Sequence, residues 1–266
     1  MGGLILSGLY FYPVKSVAGV SLNRGPVDAR GVRYDRHWMV VDVAGRFVTQ
    51  RQYPKMSQIQ VGMVPGGVRF CATGMPDLDI PLVDEGAHEL EVEVWGDLVH
   101  AHSAGTPAAY WLSQFLGLDC QLVYLTEQSR RAVDPDYADP DDQVGFADGF
   151  PFLLISEASL EDLNSRLETP VPMTRFRPNL VVKGCEPYAE DGWKKIRIGQ
   201  MVFRVSKPCS RCVIPTIDPA TGKKAKEPLK TLNEYRQHDN KVYFGQNLLH
   251  DGPGELEVGA DVELLE

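Results

Sequence analysis

Cys209 and Cys212 stand three apart in K-P-C-S-R-C-V-I-P-T-I-D-P, residues 207–219, and no other two of the five cysteines lie so close. Two sulfurs at this spacing can form a redox dithiol, supply half of a zinc site, or bind a soft transition metal from a loop. Structural zinc needs two further sulfur or imidazole ligands, whereas Cys71, Cys120 and Cys185 are isolated and no closely spaced histidine pair of the zinc-finger kind follows. A thioredoxin-like dithiol needs its first cysteine to open a helix. Val213, Ile214, Pro215, Thr216 and Ile217 are β-branched or proline and disfavour one. Cysteine is also commonly a small buried hydrophobe, which suits Cys71, Cys120 and Cys185. It suits Cys209 and Cys212 less well, because Lys207, Ser210 and Arg211 beside them are polar or cationic.

Three other segments place cations beside glycine or proline turns: Y-P-V-K-S-V-A-G with Lys15, Y-D-R-H-W with Arg36, and R-F-R-P-N with Arg175 and Arg177. Arginine offers a planar fork, lysine a point charge, and Ser16 and Asn179 add neutral donors, a set suited to phosphate. Taken singly, Lys15 and Arg175 read as surface charges, and Arg36 as half of a rim ion pair with Asp35 or Asp42. The chain carries 27 Lys plus Arg against 36 Asp plus Glu, a net charge of −9, so clustered cations need a local reason. The same balance argues against nucleic acid or an anionic membrane as the main partner.

The elements that must position these residues are mostly strands. The runs 37–51 and 89–102 each alternate around a glycine, Gly45 and Gly96, and predict hairpins. A helix is expected from Thr106 as cap and Pro107, with Trp111, Leu112, Phe115 and Leu116 on its apolar face and Gly117 as its stop. The acidic, proline-rich run 134–143 reads as a solvated loop near a subdomain boundary, with a lid as its rarer role. P-F-L-L-I reads as a buried strand, and Ser156 as the cap of a helix carrying Leu160, Leu163 and Leu167. Strands N-L-V-V-K-G, K-K-I-R-I-G and M-V-F-R-V-S lead to the cysteines, a short helix spans Pro228 to Arg236, and E-L-E-V and D-V-E-L-L close the chain. The expected fold is mainly β with a few helices (α+β), in one or two barrel-like units, within 266 residues that need no disulfides. The first apolar run is cut by Gly8 and Pro13 and reads as a strand, not a secretory or membrane segment. With cysteines in no regular framework, that predicts a cytoplasmic protein.

Together these blocks resemble the MOSC proteins, the molybdenum cofactor sulfurase C-terminal group, and among them the amidoxime-reducing components and their bacterial relatives. Y-P-V-K-S, Y-D-R-H-W-M-V-V-D and V-T-Q-R-Q are similar to an N-terminal β-barrel domain, expected over 1–103. P-F-L-L-I-S-E, R-F-R-P-N, A-E-D-G-W, C-S-R-C-V-I-P-T-I-D-P and F-G-Q-N are similar to the MOSC domain, expected over 104–266. The resemblance implies a molybdenum-pterin cofactor between the two, its phosphate meeting Lys15, Ser16, Arg36, Arg177 and Asn179. It implies Cys212 as the molybdenum ligand and catalytic residue, with Cys209, Ser210 and Arg211 beside it and Arg211 holding the Cys212 sulfur as thiolate. Arg51, Gly149 and Phe150 follow as further contacts, although relatives carry hydroxyl residues where Gly149 and Phe150 stand.

The implied activity is reduction of N-hydroxylated compounds: hydroxylamines, amidoximes or hydroxylaminopurines. No cysteine set for an iron–sulfur centre is present. Electrons are therefore expected from a separate protein, a flavoprotein reductase, a ferredoxin or a b-type cytochrome. The alternative is a carrier of the cofactor, or a sulfur-transfer module, without turnover. Asp218 is a possible neighbour of the metal, but its T-x-D-P setting reads first as a turn stabiliser.

Overall fold

The computed structural model describes residues 3–82 and 87–266. Its architecture is mainly β with three α-helices: a large mixed sheet and an N-terminal half-barrel. Strand Phe152–Ser156, apolar up to Ile155 and buried on both faces, lies inside the nine-stranded sheet. On one side it runs parallel to Leu180–Lys183, on the other antiparallel to Lys241–His250. Leu180–Lys183 in turn pairs antiparallel with Ile5–Phe11. The parallel pairing brings the approaches to two strands, Gly149–Phe150 and Arg177–Asn179, to one end of the sheet. The antiparallel pairing brings the exit of Ile5–Phe11, and with it Lys15 and Ser16, to the same end. Gly245, in F-G-Q-N, has φ +81°, and a Cβ there would lie 2.8 Å from the Leu154 carbonyl oxygen, so this crossing of strands requires glycine.

The half-barrel strands Trp38–Asp42, Cys120–Tyr124, Asp97–Ser103 and Glu89–Val94 form one sheet in that order. Helix α1, Gly105–Leu116, buries Trp111, Leu112 and Phe115 against it. The layers cross the sequence boundary expected at 103/104. Ile5–Phe11 belongs to the large sheet, while α1 and Cys120–Tyr124 complete the N-terminal core.

The hairpin at 89–102, the Gly117 stop (φ +72°) and the Ser156 cap, which accepts the Ser159 N–H, follow the sequence reading. Helix α2 is Glu157–Ser165, so Leu167 packs from beyond its end; α3 is Leu229–Tyr235. Two readings are corrected. Helix α1 begins at Gly105 after Ala104 with no side-chain cap, so Thr106 and Pro107 lie inside it. The second arm of the 37–51 hairpin is shorter than expected. On the edge of Trp38–Asp42 not taken by Cys120–Tyr124 it pairs back only through residues 46–48, by the Val41–Phe47 bridge and the Asp42–Arg46 and Val48–Val40 backbone bonds, and residues 49–51 turn away. Among the described residues no helix is long and apolar enough to cross a membrane.

Candidate functional site

A cavity of about 130 Å³ at this end of the large sheet is lined by Lys15, Ser16, Arg36, Phe150, Arg177 and Asn179 from the strand approaches. Cys209, Ser210, Arg211 and Cys212 complete the opposite wall. Of the cofactor contacts implied by the resemblance, Arg51 lies off this lining and reaches in by donating to Cys212 Sγ at 3.4 Å, while Arg175 and Asp218, also singled out by sequence, lie outside it.

The N-terminal wall is a braced set of cations, not the surface charges that single-residue reading suggested. Arg36 is clamped by Asp35 at 2.6 Å, and the Asp35 side chain is 1 % exposed. Burial pushes the Asp35 carboxyl up against the pull of Arg36, while its other oxygen accepts the Tyr12 N–H at 2.7 Å. Asn179 Oδ1 accepts from Arg36 at 3.1 Å and from Leu153 N–H at 3.3 Å, and its Nδ2 donates to the Tyr10 carbonyl. With its oxygen and one N–H so engaged, Asn179 positions Arg36 at the cavity wall. Tyr12 lies between the guanidiniums of Arg36 and Arg177, each 4.2 Å from its ring centre. Burial, with Arg36 adding like charge, brings Arg177 down to about 10. Ser16, Arg36 and Arg177 all hold positive φ, at 66°, 45° and 57°. Such backbone costs about 1–3 kcal/mol per residue and persists where surroundings over-determine it, often at binding sites.

Lys15 donates to the Phe146 carbonyl at 2.7 Å and to Asp148 at 2.6 Å, leaving one N–H for the cavity. Burial lowers Lys15 to about 8 against the opposing pull of Asp148. The Ser16 hydroxyl, on a residue 5 % exposed, makes no hydrogen bond among the described residues.

Asp148 and Trp95 were not found by sequence. The carboxylate spans Lys15 and Arg51, at 2.6 and 2.7 Å, and accepts the Trp95 indole N–H at 3.1 Å. Burial would raise Asp148, but Lys15 and Arg51 outweigh it and hold the carboxyl well below the usual carboxylate range. The Trp95 ring packs under Arg51 at 4.7 Å. The only available signal was the acid in A-D-G-F-P before a buried strand; nothing local marked a hairpin tryptophan.

Strand Met201–Ser210 runs into the site with register shifts at Val205/Lys207 and Pro208/Ser210, bends that re-aim its end. Cys209 and Ser210 therefore close a strand, and only from Arg211 onward is the segment a loop with one short turn, Ile214–Thr216. The expected pairing of Arg211 with Cys212 is corrected: Arg211 donates to Cys209 Sγ at 3.0 Å and to the Phe176 carbonyl at 2.7 Å, while Arg51 serves Cys212. Buried Arg51 Nη1 and Arg211 Nε have no hydrogen-bond partner among the described residues. Asp218 Oδ1 accepts the Ala220 N–H at 2.9 Å, the turn-stabilising role. The loop at 134–143 is pinned through Arg204 to Asp139 and Asp142, and Tyr137 packs on Phe150 in the cavity wall.

A larger cavity, about 950 Å³, opens elsewhere beside Arg30, Tyr34, His37 and Tyr124. Burial and the nearby Arg30 push His37 down to about 3, so it is neutral. None of the cysteine or phosphate candidates except Arg36's partner Asp35 reaches it.

Residues 4–119 match the MOSC N-terminal beta barrel domain and residues 141–263 the MOSC domain. The chain belongs to the MOSC family. This MOSC protein is 38% identical to mitochondrial amidoxime-reducing component 1 of Mus musculus, over 97% of its own length and 81% of the relative's. The human protein of the same name is 38% identical, over 97% and 82%. Molybdenum cofactor sulfurase of Oryza sativa subsp. japonica is 34% identical over 90% of this chain but 32% of that protein. Among solved structures, the YUAD protein of Bacillus subtilis covers 98% of the chain at 10% identity and TM-score 0.43, too distant to add to the fold.

Proposed function

We propose that this MOSC protein holds a molybdenum-pterin cofactor and reduces N-hydroxylated compounds, with Cys212 as the protein's ligand to the metal. The observation that carries the reading is the convergence of one sulfur, Cys212, and the cation set of Lys15, Arg36 and Arg177 on a single cavity. Among the described residues no group of three His, Cys, Asp or Glu side chains could hold a metal ion. A metal here would thus take most of its donors from a cofactor, as dithiolene sulfurs would supply. The residues fit such a group: the unpartnered Ser16 hydroxyl and the remaining Lys15 N–H suit a phosphate, and the orphaned Arg51 and Arg211 nitrogens suit further acceptors beside the cysteines.

When bound, the cofactor supplies the two-electron chemistry by which an N–OH bond gives N–H and water, the protons coming from solvent. The chain's own residues do the rest. Lys15, Ser16, Arg36 and Arg177 bind the phosphate, Asn179 and Asp35 hold Arg36 at its post, and Arg51 steadies the Cys212 sulfur. Ser210 and Phe150 border the cavity where substrate must enter, and electrons come from a separate donor protein. The likeness of the chain to part of a molybdenum cofactor sulfurase favours a second reading, in which the same pocket carries cofactor or sulfur without turnover.

Metal analysis of the purified protein, followed by oxidation of a reduced dye with benzamidoxime or hydroxylamine, separates the readings. Molybdenum near one per chain with turnover supports the reductase. Molybdenum without turnover on any N-oxygenated substrate leaves the carrier, and zinc in its place removes both.

A further inference from the structure

A second cavity, about 290 Å³, lies between Tyr12, Gly19 and Gln50 on one side and Thr174, Arg175 and Ile217 on the other. It adjoins the cysteine cavity, since Arg177 and Ile214 line both. Gln50 is 4 % exposed, and its carboxamide has no hydrogen bond among the described residues. Arg175 makes no side-chain hydrogen bond or ion pair among them either, and its Nη1 is buried without a partner. Among the described residues no carboxylate lines the cavity. Asp218, the acid whose charge Arg175 feels, spends an oxygen on the Ala220 N–H of its own turn.

Gln50's unbonded carboxamide, on a residue 4 % exposed, and the buried Nη1 of half-buried Arg175 leave bonding capacity unmet, and a ligand that accepts from both meets it. The guanidinium fork and the amide N–H groups are matched best by a carboxylate. Ile214, Ile217, Pro219, Ala220 and the Tyr12 ring give the cavity an apolar side, with Ser57, Gln60, Thr174 and Arg177 as its other polar lining. The site therefore suits a molecule with an apolar body and an acidic end, and Ile214, which it shares with the cysteine cavity, stands two positions along the chain from Cys212.

We infer that this cavity is a substrate subsite that takes the carboxylate of an acidic N-hydroxylated compound, with Arg175 and Gln50 as its specificity-determining residues. The inference rests on the reductase reading given above. Its first test is calorimetric titration of benzoate into the protein as purified with its cofactor. Benzoate binds the native chain, and Arg175→Gln weakens it about tenfold or more, as loss of a charge-assisted pair does. Gln50→Glu, which sets a like charge in the same cavity, does the same and guards against misfolding of the first variant. Equal affinity in all three proteins overturns the subsite. So does binding only after the cofactor is stripped, which would give the cavity to the cofactor, and so does competition by inorganic phosphate at benzoate's own affinity, which would mark a generic anion site.

The second test compares carboxybenzamidoxime with benzamidoxime as substrates. In Arg175→Gln the preference for the acidic substrate falls about tenfold, through KM and not kcat. An unchanged ratio with both substrates reduced sinks the subsite alone. Benzoate binding that depends on Arg175, in a protein that reduces neither compound, sinks the reductase reading and leaves an anion site.

Discussion

Arg36 is fixed by Asp35, Asn179 and the Arg177 carbonyl, whereas at the other wall each cysteine sulfur meets one guanidinium nitrogen and further nitrogens of Arg51 and Arg211 stay unpartnered. The first wall is braced internally, with the Ser16 hydroxyl and one Lys15 N–H left over, and its backbone is held in left-handed conformations at Ser16, Arg36 and Arg177. The second ends a bent strand that is partly exposed. A wall of the first kind is preorganised to hold an anion without moving. A wall of the second kind keeps free bonding capacity for what arrives. Grip and chemistry are thereby assigned to different parts of the chain, and variants can be chosen to damage one without the other.

The largest effect is expected at the cysteines. Cys212→Ser should lower the reductase rate more than about a hundredfold and change the metal's electronic spectrum, because a hard oxygen replaces a soft sulfur. Most of the cofactor should stay bound through the cation wall. Cys209→Ser, whose sulfur only meets Arg211 and lines the cavity, should cost less than about tenfold and spare the spectrum. Equal loss in both variants, read side by side by absorption and rate, would point to a dithiol; the reverse order would move the ligand to Cys209.

The next effect belongs to the braced wall and is one of stability. Arg36→Ala leaves Asp35 buried and unpaired, which costs about 3 kcal/mol in denaturant unfolding. The double variant Asp35→Asn/Arg36→Met removes both charges and should recover much of that stability while still losing molybdenum. Were stability and occupancy to recover together, Arg36 would have no part in holding the anion.

Lys15 gives a pH signature to the same wall. Its pKa of about 8 means that it is charged at neutral pH and loses its proton above that value. A bound phosphate requires the charged form, so affinity for inorganic phosphate in cofactor-free protein should begin to fall as pH nears 8 and drop by up to about tenfold per pH unit well above it. Lys15→Arg, with a charge that persists, should abolish the fall. A profile identical in both proteins would remove Lys15 from the contact.

The smallest effect is at Asp148, the tie between the walls. Asp148→Asn keeps the shape but removes the charge shared by Lys15 and Arg51. Its half-exposed position limits the stability cost to about 1 kcal/mol or less in thermal unfolding. Cofactor retention should change by a few-fold at most, in contrast with Arg36→Ala; a loss as large as that variant's would make Asp148 part of the grip itself.

Much of this was legible in the chain. Alternation around Gly96, the Ser156 cap and the apolar run at 151–155 each express a local preference that the tertiary structure did not override. The arm after Gly45 pairs back only through residues 46–48 and then leaves the edge of Trp38–Asp42 for the cavity, where Arg51 meets Asp148 and Cys212; contacts remote in sequence set where it ends. Pairing of the arginines with the sulfurs failed for a similar reason. Arg211 adjoins Cys212 in sequence, yet the strand end directs it to Cys209, and Arg51 arrives from 161 positions away.

The sequence by itself determined the inventory: two close sulfurs, turns carrying Lys15, Arg36 and Arg177, mainly β elements, and the family to which the chain belongs. Those properties depend on residue type and on neighbours a few positions apart. Only the tertiary structure decided which charge faces which partner: Asp35 and Asn179 bracing Arg36, Asp148 bridging Lys15 and Arg51, Gln50 and Arg175 left without partners beside the site. Hydrogen bonds and ion pairs act over a few ångströms of space, and in a sheet of crossing strands such neighbours come from parts of the chain far apart in sequence.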